Sequence, residues 1–585
     1  MNTEIHGING PVITLAGHTP LSMMEMVLVG EDRLVGEVIG VNADKTTIQV
    51  YENTTGLRPG EQIYPTGGPL CVTLGPGILD NIFDGIERPL KALEQQTGDF
   101  IARGATAPAL DEERRWDVTV TVKPGDTLQA GDIYATCPET PIIEHKCMVP
   151  PGLGGKVTAV QPDGAYRVTD TVVTLTDDQG DEHLLTLCQK WPIRTPRPVS
   201  RRLYPDAPLI TGQRVIDALF PLAKGGTAAI PGGFGTGKTM TQHQLAKWCD
   251  ADIIIYVGCG ERGNEMSQVL EEFSSLVDPK SGRPMTDRTA LIANTSNMPV
   301  AAREASIYTG ITLAEYYRDM GYHVAIMADS TSRWAEALRE ISGRLEEMPA
   351  EEGFPAYLPS RLSEFYERAG MMETLGGRSG SVTIIGAVSP QGSDFSEPVT
   401  QNTKRFTRCF WALDKSLAYA RHYPAINWMN SYSEYLGDLS DWYIKNAGED
   451  FMECRGKIAQ LLQEESKLME IVKLIGSDVL PDDQKLVIET ARAIRVGFLQ
   501  QNAYHEDDTF VPLEKQLKMM RVILHLHKTA AQAVAASVPL ARILELGLFD
   551  KVSRIKFDVP NNRLDLLDAY FTEIDQKIRG LVQPA

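Results

Sequence analysis

Residues 232–239 read Gly-Gly-Phe-Gly-Thr-Gly-Lys-Thr, a complete match to the G-x4-G-K-[ST] pattern of a phosphate-binding loop. The short run at 226–230 can form the strand that precedes such a loop, and residues 239–248 can form the helix that follows it. Strand, loop and helix in this order are the context in which the pattern is meaningful. The stretch therefore predicts an α/β domain with a phosphate site at the end of one strand.

Each residue type of the loop has a physical role. Glycines allow backbone N–H groups to turn inward around phosphate oxygens, and the following helix adds the partial positive charge of its N-terminus. Lys238 supplies a cation for the β and γ phosphates, and Thr239 offers a hydroxyl to Mg²⁺. The predicted nucleotide-binding residues of the loop are Gly232, Gly233, Phe234, Gly235, Thr236, Gly237, Lys238 and Thr239.

A second Mg²⁺ ligand is expected at the end of a buried strand near the loop. Asp329 closes the apolar run 323–328, and an aspartate in that place can hold Mg²⁺ through a water molecule. The same residue can also cap a helix, because a helical stretch begins shortly after it. We predict the metal role for Asp329 together with Thr239, and the capping role is compatible with it.

Hydrolysis of a phosphate bond needs a group that polarises the attacking water. Glu261 follows the apolar run 253–259, and the carboxyl edge of a parallel sheet beside the loop suits such a carboxylate. On position alone, Glu265 competes with Glu261 for this role. Arg262 could contact phosphate or a carboxylate across an interface. The predicted catalytic residues are Lys238, Glu261, Arg262 and Asp329.

The rest of the chain divides into segments by its pattern. Short β-rich runs at 25–29, 34–41 and 46–51 indicate a small antiparallel barrel or sandwich. Alternating β runs recur between residues 116 and 187. A proline-rich connector follows, then the α/β segment, then apolar faces at helical spacing. The predicted domains are an N-terminal β-barrel at 1–70, a connector at 71–109, a β-rich insertion at 110–190, the phosphate-loop α/β domain with a largely parallel sheet at 191–434, and a helical domain at 435–585.

Composition excludes some function classes. The chain has 585 residues and a formal net charge of −20, which argues against a nucleic-acid binder because such proteins usually show a basic stripe. No run reaches the roughly 18 apolar residues of a membrane helix, and the first residues lack the pattern of a signal peptide. We therefore expect a cytoplasmic protein that reaches a membrane only through partners.

Several motifs taken together resemble those of one known family. The loop at 232–239, Gly-Glu-Arg-Gly-Asn-Glu at 260–265 and Asp-Ser-Thr-Ser-Arg-Trp-Ala-Glu-Ala-Leu-Arg at 329–339 resemble the catalytic subunits of rotary ATPases. The resemblance narrows to the A subunit of the V/A-type enzymes through the runs at 342–358, 389–399 and 423–428. It spans essentially the whole chain, and the motifs are highly specific as a set.

The resemblance implies roles that position alone leaves open. In such subunits the glutamate matching Glu261 is the catalytic carboxylate, and the aromatic matching Tyr423 lines the adenine pocket, where ring stacking gives affinity. The segment 500–504 matches another part of that pocket, and the contacting residue within it stays open. ATP or ADP with Mg²⁺ is the implied ligand. The insertion at 110–190 matches the bulge domain that separates A subunits from F-type β subunits.

Two loop residues depart from the family's usual pattern. Gly233 stands where the loop commonly has Pro or Ala, so this loop is expected to be slightly more flexible. Thr236 stands where eukaryotic relatives carry a cysteine, so redox control at this position is not expected. The threonine points to an enzyme of bacterial or archaeal type.

The resemblance also implies an assembly. Three A subunits are expected to alternate with three B subunits in a ring, with an arginine from B completing each ATP site in trans. Central and peripheral stalk subunits would connect the ring to a membrane rotor that moves H⁺ or Na⁺. The implied activity is ATP hydrolysis or synthesis coupled to rotation and ion transport, carried out in the cytoplasm and peripheral to the membrane, without nucleic acid.

Three other function classes share parts of this pattern. A non-catalytic B-type subunit would bind nucleotide without hydrolysing it, but Lys238, Thr239 and Glu261 argue against that reading. A hexameric helicase would show basic nucleic-acid loops, and neither helicases nor secretion ATPases explain residues 110–190. An assembly or regulatory protein would hold ATP only structurally. Loss of hydrolysis with retained binding in a Glu261→Gln variant would exclude that last class.

Overall fold

A computed structural model of the chain describes residues 3–98, 100–476 and 479–582. The predicted segments 1–70, 71–109 and 435–585 therefore contain a few residues that lie outside the described ranges. The chain folds into two units, which comprise Met1–Tyr204, Lys224–Ala229 and Ala251–Thr407 in the first and Pro205–Ala223, Ile230–Asp250 and Arg408–Ala585 in the second. Within the described ranges, no helix has both the length and the apolar character needed to cross a membrane.

The first unit begins with a six-stranded antiparallel sheet. Its core includes Ile13, Val27, Val38 and Ile48, because alternate side chains of each strand point to the same face. The strand predicted at 46–51 begins and ends one residue earlier, and the two other strand predictions are confirmed. The spatial order of the strands is Gly7–Asn9, Val12–Ala16, Lys45–Val50, Leu34–Val41, Glu25–Val29 and Ile63–Pro69.

Two four-stranded antiparallel sheets follow, which confirms the β-rich character predicted for residues 110–190. One sheet has the order Thr127–Leu128, Gly155–Val160, Val173–Thr176 and Glu182–Leu185. The other has the order Glu144–Met148, Ile133–Pro138, Trp116–Val120 and Gly164–Tyr166. The segment 71–109 is more structured than a plain connector, since it contains strands Cys71–Leu74 and Ile82–Phe83 and helix Leu90–Thr97.

A largely parallel sheet forms the centre of the first unit. Its strands are continuous apolar runs because both faces of the sheet are covered. Parallel strands end at one edge, so the residues at their carboxyl ends come close together. The order is residues 227–229, then Ser379–Val388, His323–Asp329, Ile253–Glu261, Thr289–Thr295 and Ile82–Phe83. The strand Gly370–Glu373 pairs antiparallel with Ser379–Val388 and with Arg201–Leu203.

The helices of the first unit cover this sheet. They include Gly263–Ser275, Val300–Asp319, Thr331–Arg344, Leu358–Glu367 and Pro398–Phe406. Helix Val300–Asp319 packs on four of the parallel strands and is buried along nearly its whole length. Gly310 allows this close packing, because a Cβ atom there would lie 2.4 Å from Val257 Cγ2. Val257 is β-branched and fully buried, so it cannot rotate out of the way.

We expect Gly310→Ala to lower the stability of the chain by roughly 1–3 kcal/mol, because the added methyl overlaps Val257. The matched control is Gly343→Ala in helix Thr331–Arg344, where a Cβ atom has no neighbour within 4 Å. That change is expected to raise stability by up to about 1 kcal/mol through helix propensity. Thermal unfolding of the full chain measures both variants, and equal midpoints would contradict the packing argument.

The second unit contains the phosphate loop and the helical part of the chain, and the helical prediction beyond residue 434 is confirmed. Its helices are Lys238–Trp248, Lys415–Tyr419, Leu436–Asn446, Phe451–Ile475, Asp482–Ala493, Glu506–Thr509, Leu513–Ala535, Leu540–Leu544, Leu548–Ser553, Ile555–Asp558 and Asp568–Val582. π-Helical turns occupy Val215–Leu219 and Ile494–Leu499. A short antiparallel pair joins Cys409–Phe410 to Tyr432–Ser433.

Candidate active site

The loop at 232–239 has the backbone that the sequence pattern requires. It leads from strand Thr227–Pro231 into helix Lys238–Trp248, within one residue of the predicted bounds. Gly235 and Gly237 have φ angles of 78° and 86°, a region that side chains disfavour. Gly232 is constrained by packing, because a Cβ atom there would lie 2.5 Å from Thr236 Oγ1 and 2.8 Å from Leu413 Cβ.

Lys238 lies over the loop. Its Nζ donates to the carbonyl oxygens of Gly232 at 2.7 Å and Gly233 at 3.4 Å, and the Thr236 hydroxyl donates to Gly233 O at 2.8 Å. No side chain caps the helix start at Gly237, which suits a helix end that receives an anion. The Phe234 side chain is 78% exposed, so this residue can reach phosphate only through its backbone.

A cavity of about 960 Å³ opens beside the loop, entirely within the second unit. The Tyr423 ring forms one side of it, with its Cε1 atom 3.5 Å from the point that a Cβ atom on Gly237 would occupy. A half-exposed aromatic face beside the phosphate loop is a stacking surface for a nucleotide base. The structure places the Tyr423 ring beside the phosphate loop, and its contact with the adenine base stays a prediction.

The segment 500–504 lines the same cavity. Two hydrogen bonds join it to the chain around Tyr423: Gln501 N donates to Tyr423 O at 2.7 Å, and Gln500 Nε2 donates to Arg421 O at 3.1 Å. The Gln501 side chain is fully engaged, since its Nε2 donates to Gly212 O and Asp508 O at 2.8 Å each. The Gln501 side chain is therefore structural.

Two predicted acids lie at the carboxyl edge of the parallel sheet in the first unit. Asp329 is the last residue of strand His323–Asp329 and is 2% exposed. Glu261 is the last residue of Ile253–Glu261, whereas the sequence places the strand end two residues earlier. The strand is longer because a register shift after Cys259 restores pairing, with Glu261 opposite Thr295.

The surroundings of Glu261 are electrostatically unfavourable for its negative charge. Burial, followed by the charge of Asp329 and the hydrogen bond and charge of Glu265, raises the pKa of Glu261 well above its usual range, while Arg333 acts in the opposite direction. Acids spaced this closely repel one another when they are ionised, and a bound cation would stabilise their charged forms. The hydroxyl of Thr239 and the carboxylate of Asp329 are hard oxygen donors, which are the ligands that Mg²⁺ prefers.

Arg262 is placed at the surface. Its side chain is 61% exposed and its Nη1 lies 4.0 Å from Glu265 Oε1. The structure thus brings Glu261, Glu265 and Asp329 together in the first unit. It brings the loop and Tyr423 together in the second unit.

Two residues around the acids are absent from the sequence-based prediction. The hydroxyl of Tyr256 donates to Asp329 Oδ2 at 3.2 Å, and Arg333 lies close enough to Glu261 to lower its pKa. Arg333 lies in the run 329–339, which carries part of the family resemblance, so the sequence could have indicated it as a site residue. Tyr256 lies in the middle of an apolar strand, and nothing in the sequence indicates that its hydroxyl reaches Asp329.

Comparison with known proteins supports the geometric reading. Four family models match the chain by these descriptions: the ATP synthase alpha/beta family beta-barrel domain over residues 5–67, the ATP synthase alpha/beta subunit barrel-sandwich domain over 107–194, the ATP synthase alpha/beta family nucleotide-binding domain over 212–433, and the C-terminal domain of V and A type ATP synthase over 440–544. The predicted fold class is confirmed in all four parts.

Relatives match over almost the full length. The V-type ATP synthase alpha chain of Halothermothrix orenii is 59% identical, over 98% of this chain and 97% of its own. The corresponding chain of the A-type ATP synthase of Methanopyrus kandleri is 56% identical, over 100% and 99%. A solved structure of the assembled ATPase EscN from the enteropathogenic E. coli type III secretion system shares the fold, with a TM-score of 0.63, 20% identity and coverage of 90% and 100%. The chain therefore belongs to the ATP synthase alpha/beta family, among the alpha chains or A subunits of the V-type and A-type ATP synthases.

Proposed function

We propose that this chain is the catalytic subunit of a V/A-type rotary ATPase and that it hydrolyses ATP, or makes it when rotation is driven in reverse. A member of this family is an ATPase or ATP synthase whose ligands are ATP or ADP with Mg²⁺. The proposal rests mainly on the Tyr423 ring beside Gly237. A base stacked on this ring would have its phosphates at the neighbouring loop. Mg-ATP hydrolysis by the assembled complex tests it, and ATP binding without turnover would count against it.

The loop is assigned to the phosphates. Lys238 would exchange its carbonyl partners for oxygens of the β and γ phosphates, which are stronger acceptors because they are charged. The N–H groups at the start of helix Lys238–Trp248 would donate to the same anion. Thr239 would hold Mg²⁺ directly and Asp329 through water, and the ion would supply charge neutralisation on the phosphates.

Glu261 is assigned to the attacking water. Its carboxylate would accept a hydrogen bond from that water and take its proton as the oxygen bonds to the γ phosphorus. The bond from the γ phosphorus to the bridging oxygen breaks, and ADP leaves with that oxygen. A raised pKa makes the ionised carboxylate a better proton acceptor, and a cation bound beside it would favour that ionised form. Arg262, exposed at the start of helix Gly263–Ser275, would contact phosphate or an acid of a partner.

The chain is one component of a larger ATP synthase, as the names of its relatives indicate. The specific arrangement belongs to the proposal: three copies alternating with three B subunits, an arginine supplied by B in trans, and central and peripheral stalks leading to a membrane rotor for H⁺ or Na⁺. The ring would lie in the cytoplasm and touch the membrane only through the other subunits. Arg262 is an exposed cation of this site that such an interface could cover.

Tyr423→Ala is expected to weaken ATP binding by about tenfold to a hundredfold, because base stacking on an aromatic ring contributes roughly 1–3 kcal/mol. Tyr423→Phe keeps the ring and is expected to bind ATP within about twofold of the wild type. Titration of the full chain with ATP and with inorganic tripolyphosphate measures the effect. Equal loss for both ligands in Tyr423→Ala would contradict a base-stacking role, since tripolyphosphate has no base.

A further inference from the structure

Two buried cations hold the segment 500–504, which lines the cavity next to Tyr423. Lys556 Nζ donates to Val496 O at 2.6 Å, to Gln500 O at 3.1 Å and to Gln500 Oε1 at 3.5 Å. Arg214 Nη2 donates to the same Gln500 carbonyl at 2.8 Å. Lys556 is 4% exposed and Arg214 is fully buried. Both side chains therefore act within the protein and not toward bulk solvent.

The carbonyl oxygens that accept these hydrogen bonds lie at the C-terminal end of a helical turn. Residues Ile494–Leu499 form a π-helical turn that stops at Gln500, and carbonyl groups at a helix C-terminus lack partners within the helix and carry its partial negative charge. A charged lysine has three N–H donors, which matches the three oxygens of Val496 and Gln500. A neutral amine has two donors and no positive charge, so it holds these oxygens more weakly, although Arg214 still donates to Gln500 O.

We propose that Lys556 is a positioning residue for the nucleotide base, which fixes the 500–504 wall against Tyr423 so that affinity for the base, but not for the phosphates, depends on its charge. The inference rests on the proposed function, because it concerns the same ATP site. The connection to the base site is direct, because Gln500 and Gln501 donate hydrogen bonds to the carbonyl oxygens of Arg421 and Tyr423.

The surroundings of Lys556 determine its pKa. Burial lowers its pKa to about 8; the nearby Asp508 carboxylate raises it and the Arg214 guanidinium lowers it. The Asp508 carboxylate also pairs with Arg214, whose Nη1 donates to Asp508 Oδ1 at 2.5 Å. His422 faces the lysine as well, and burial followed by the charges of Lys556 and Arg495 lowers the pKa of His422 to about 4. His422 is thus neutral in the range where Lys556 titrates.

The sign of the pH effect separates this role from simple unfolding. The pKa of Lys556 is lower in the folded chain than the ordinary value of about 10.4, so between these values the unfolded chain binds more protons. This lysine's contribution to stability therefore rises with pH in that window. Loss of base affinity above pH 8 would then occur without loss of stability from this group.

The test compares ATP with inorganic tripolyphosphate on the full chain. In the wild type we expect ATP binding to be about tenfold weaker at pH 9 than at pH 7, because only about a tenth of the protein then carries the charged lysine. Tripolyphosphate has no base, so the ratio of ATP to tripolyphosphate affinity should fall by about tenfold between the two pH values. Lys556→Met should show the weaker ATP binding at both pH values. Lys556→Arg should restore tight binding and remove the pH dependence, since arginine does not titrate in this range.

Lys515→Met is the matched control. Burial also lowers the pKa of Lys515 to about 8, but its Nζ holds Asp507 O, Val559 O and Asn561 Oδ1 and not the 500–504 wall. This variant should keep the wild-type ratio of ATP to tripolyphosphate affinity and its pH dependence. A ratio that does not change with pH in the wild type, or equal loss of both ligands in Lys556→Met, would overturn the inference. A chain that binds neither ligand would instead contradict the proposed function.

Discussion

Replacing Glu261 with glutamine is expected to reduce ATP turnover by about 10²–10⁴-fold while ATP binding is retained, because an amide cannot take the proton of the attacking water. The substitution keeps the shape of the side chain at the end of strand Ile253–Glu261. Glutamine carries no charge that could repel Asp329 or the anionic nucleotide, so affinity for the nucleotide should not fall. Phosphate release and equilibrium ATP binding by the assembled complex measure the two effects separately.

Glu265→Gln is the control for the alternative assignment. Glu265 hydrogen-bonds to Glu261 and raises its pKa. It lies in the first turn of helix Gly263–Ser275 and not at the end of a strand. We expect this variant to lose at most about tenfold in turnover, since it acts only through Glu261. If Glu265→Gln abolished turnover and Glu261→Gln retained it, the catalytic role would belong to Glu265.

Stability provides a second check on the Glu261 variant. A carboxyl group whose pKa is raised on folding binds more protons in the folded chain, so its contribution to stability declines as pH rises above the unfolded value of about 4.3. Glutamine removes that penalty. The melting temperature of Glu261→Gln at pH 7 should therefore equal or exceed that of the wild type, and a large decrease would mean that lost activity reflects damage to the fold.

The chain alone is expected to hydrolyse ATP about 10³–10⁵-fold more slowly per site than in the assembled ring, because an arginine supplied in trans typically contributes that factor. The arginines near Glu261 are poorly placed to replace it. Arg333 Nη1 donates to Glu336 at 2.8 Å, and Arg262 is mostly exposed beside Glu265. Initial rates with and without the B partner measure the factor.

The control for that comparison is a ring assembled with the Glu261→Gln chain. Its residual turnover reports any activity that belongs to the B partner or to a contaminant. Subtracting it gives the rate that depends on this chain's carboxylate. Comparable turnover by the isolated wild-type chain would contradict the need for a trans group.

Much of the site can be predicted from sequence because its parts are local. The loop, its helix and its glycine conformations follow from eight consecutive residues, since the phosphate geometry leaves little choice of backbone. Asp329 and Glu261 are also predictable as acids at the ends of apolar runs. In a parallel sheet, strand ends gather at one edge. The exact end of the strand at Glu261 was missed, because the register shift after Cys259 depends on the neighbouring strand.

The base site is predictable only in part. The resemblance indicates Tyr423 and the segment 500–504. It does not show that the Gln501 side chain donates hydrogen bonds to the carbonyl oxygens of Gly212 and Asp508. Nor does it show that Lys556 supports Gln500. These contacts join residues that are far apart in the chain, so no local pattern encodes them. Tyr256 is hidden for a related reason, since an apolar strand gives no sign of which polar atom reaches Asp329.

The most direct test of the account is Mg-ATP turnover by this wild-type chain assembled with its B partner. The account predicts repeated turnover at each site, with ADP and phosphate released in equal amounts. An assembled complex that binds ATP and does not turn it over would contradict the central claim that this chain is catalytic.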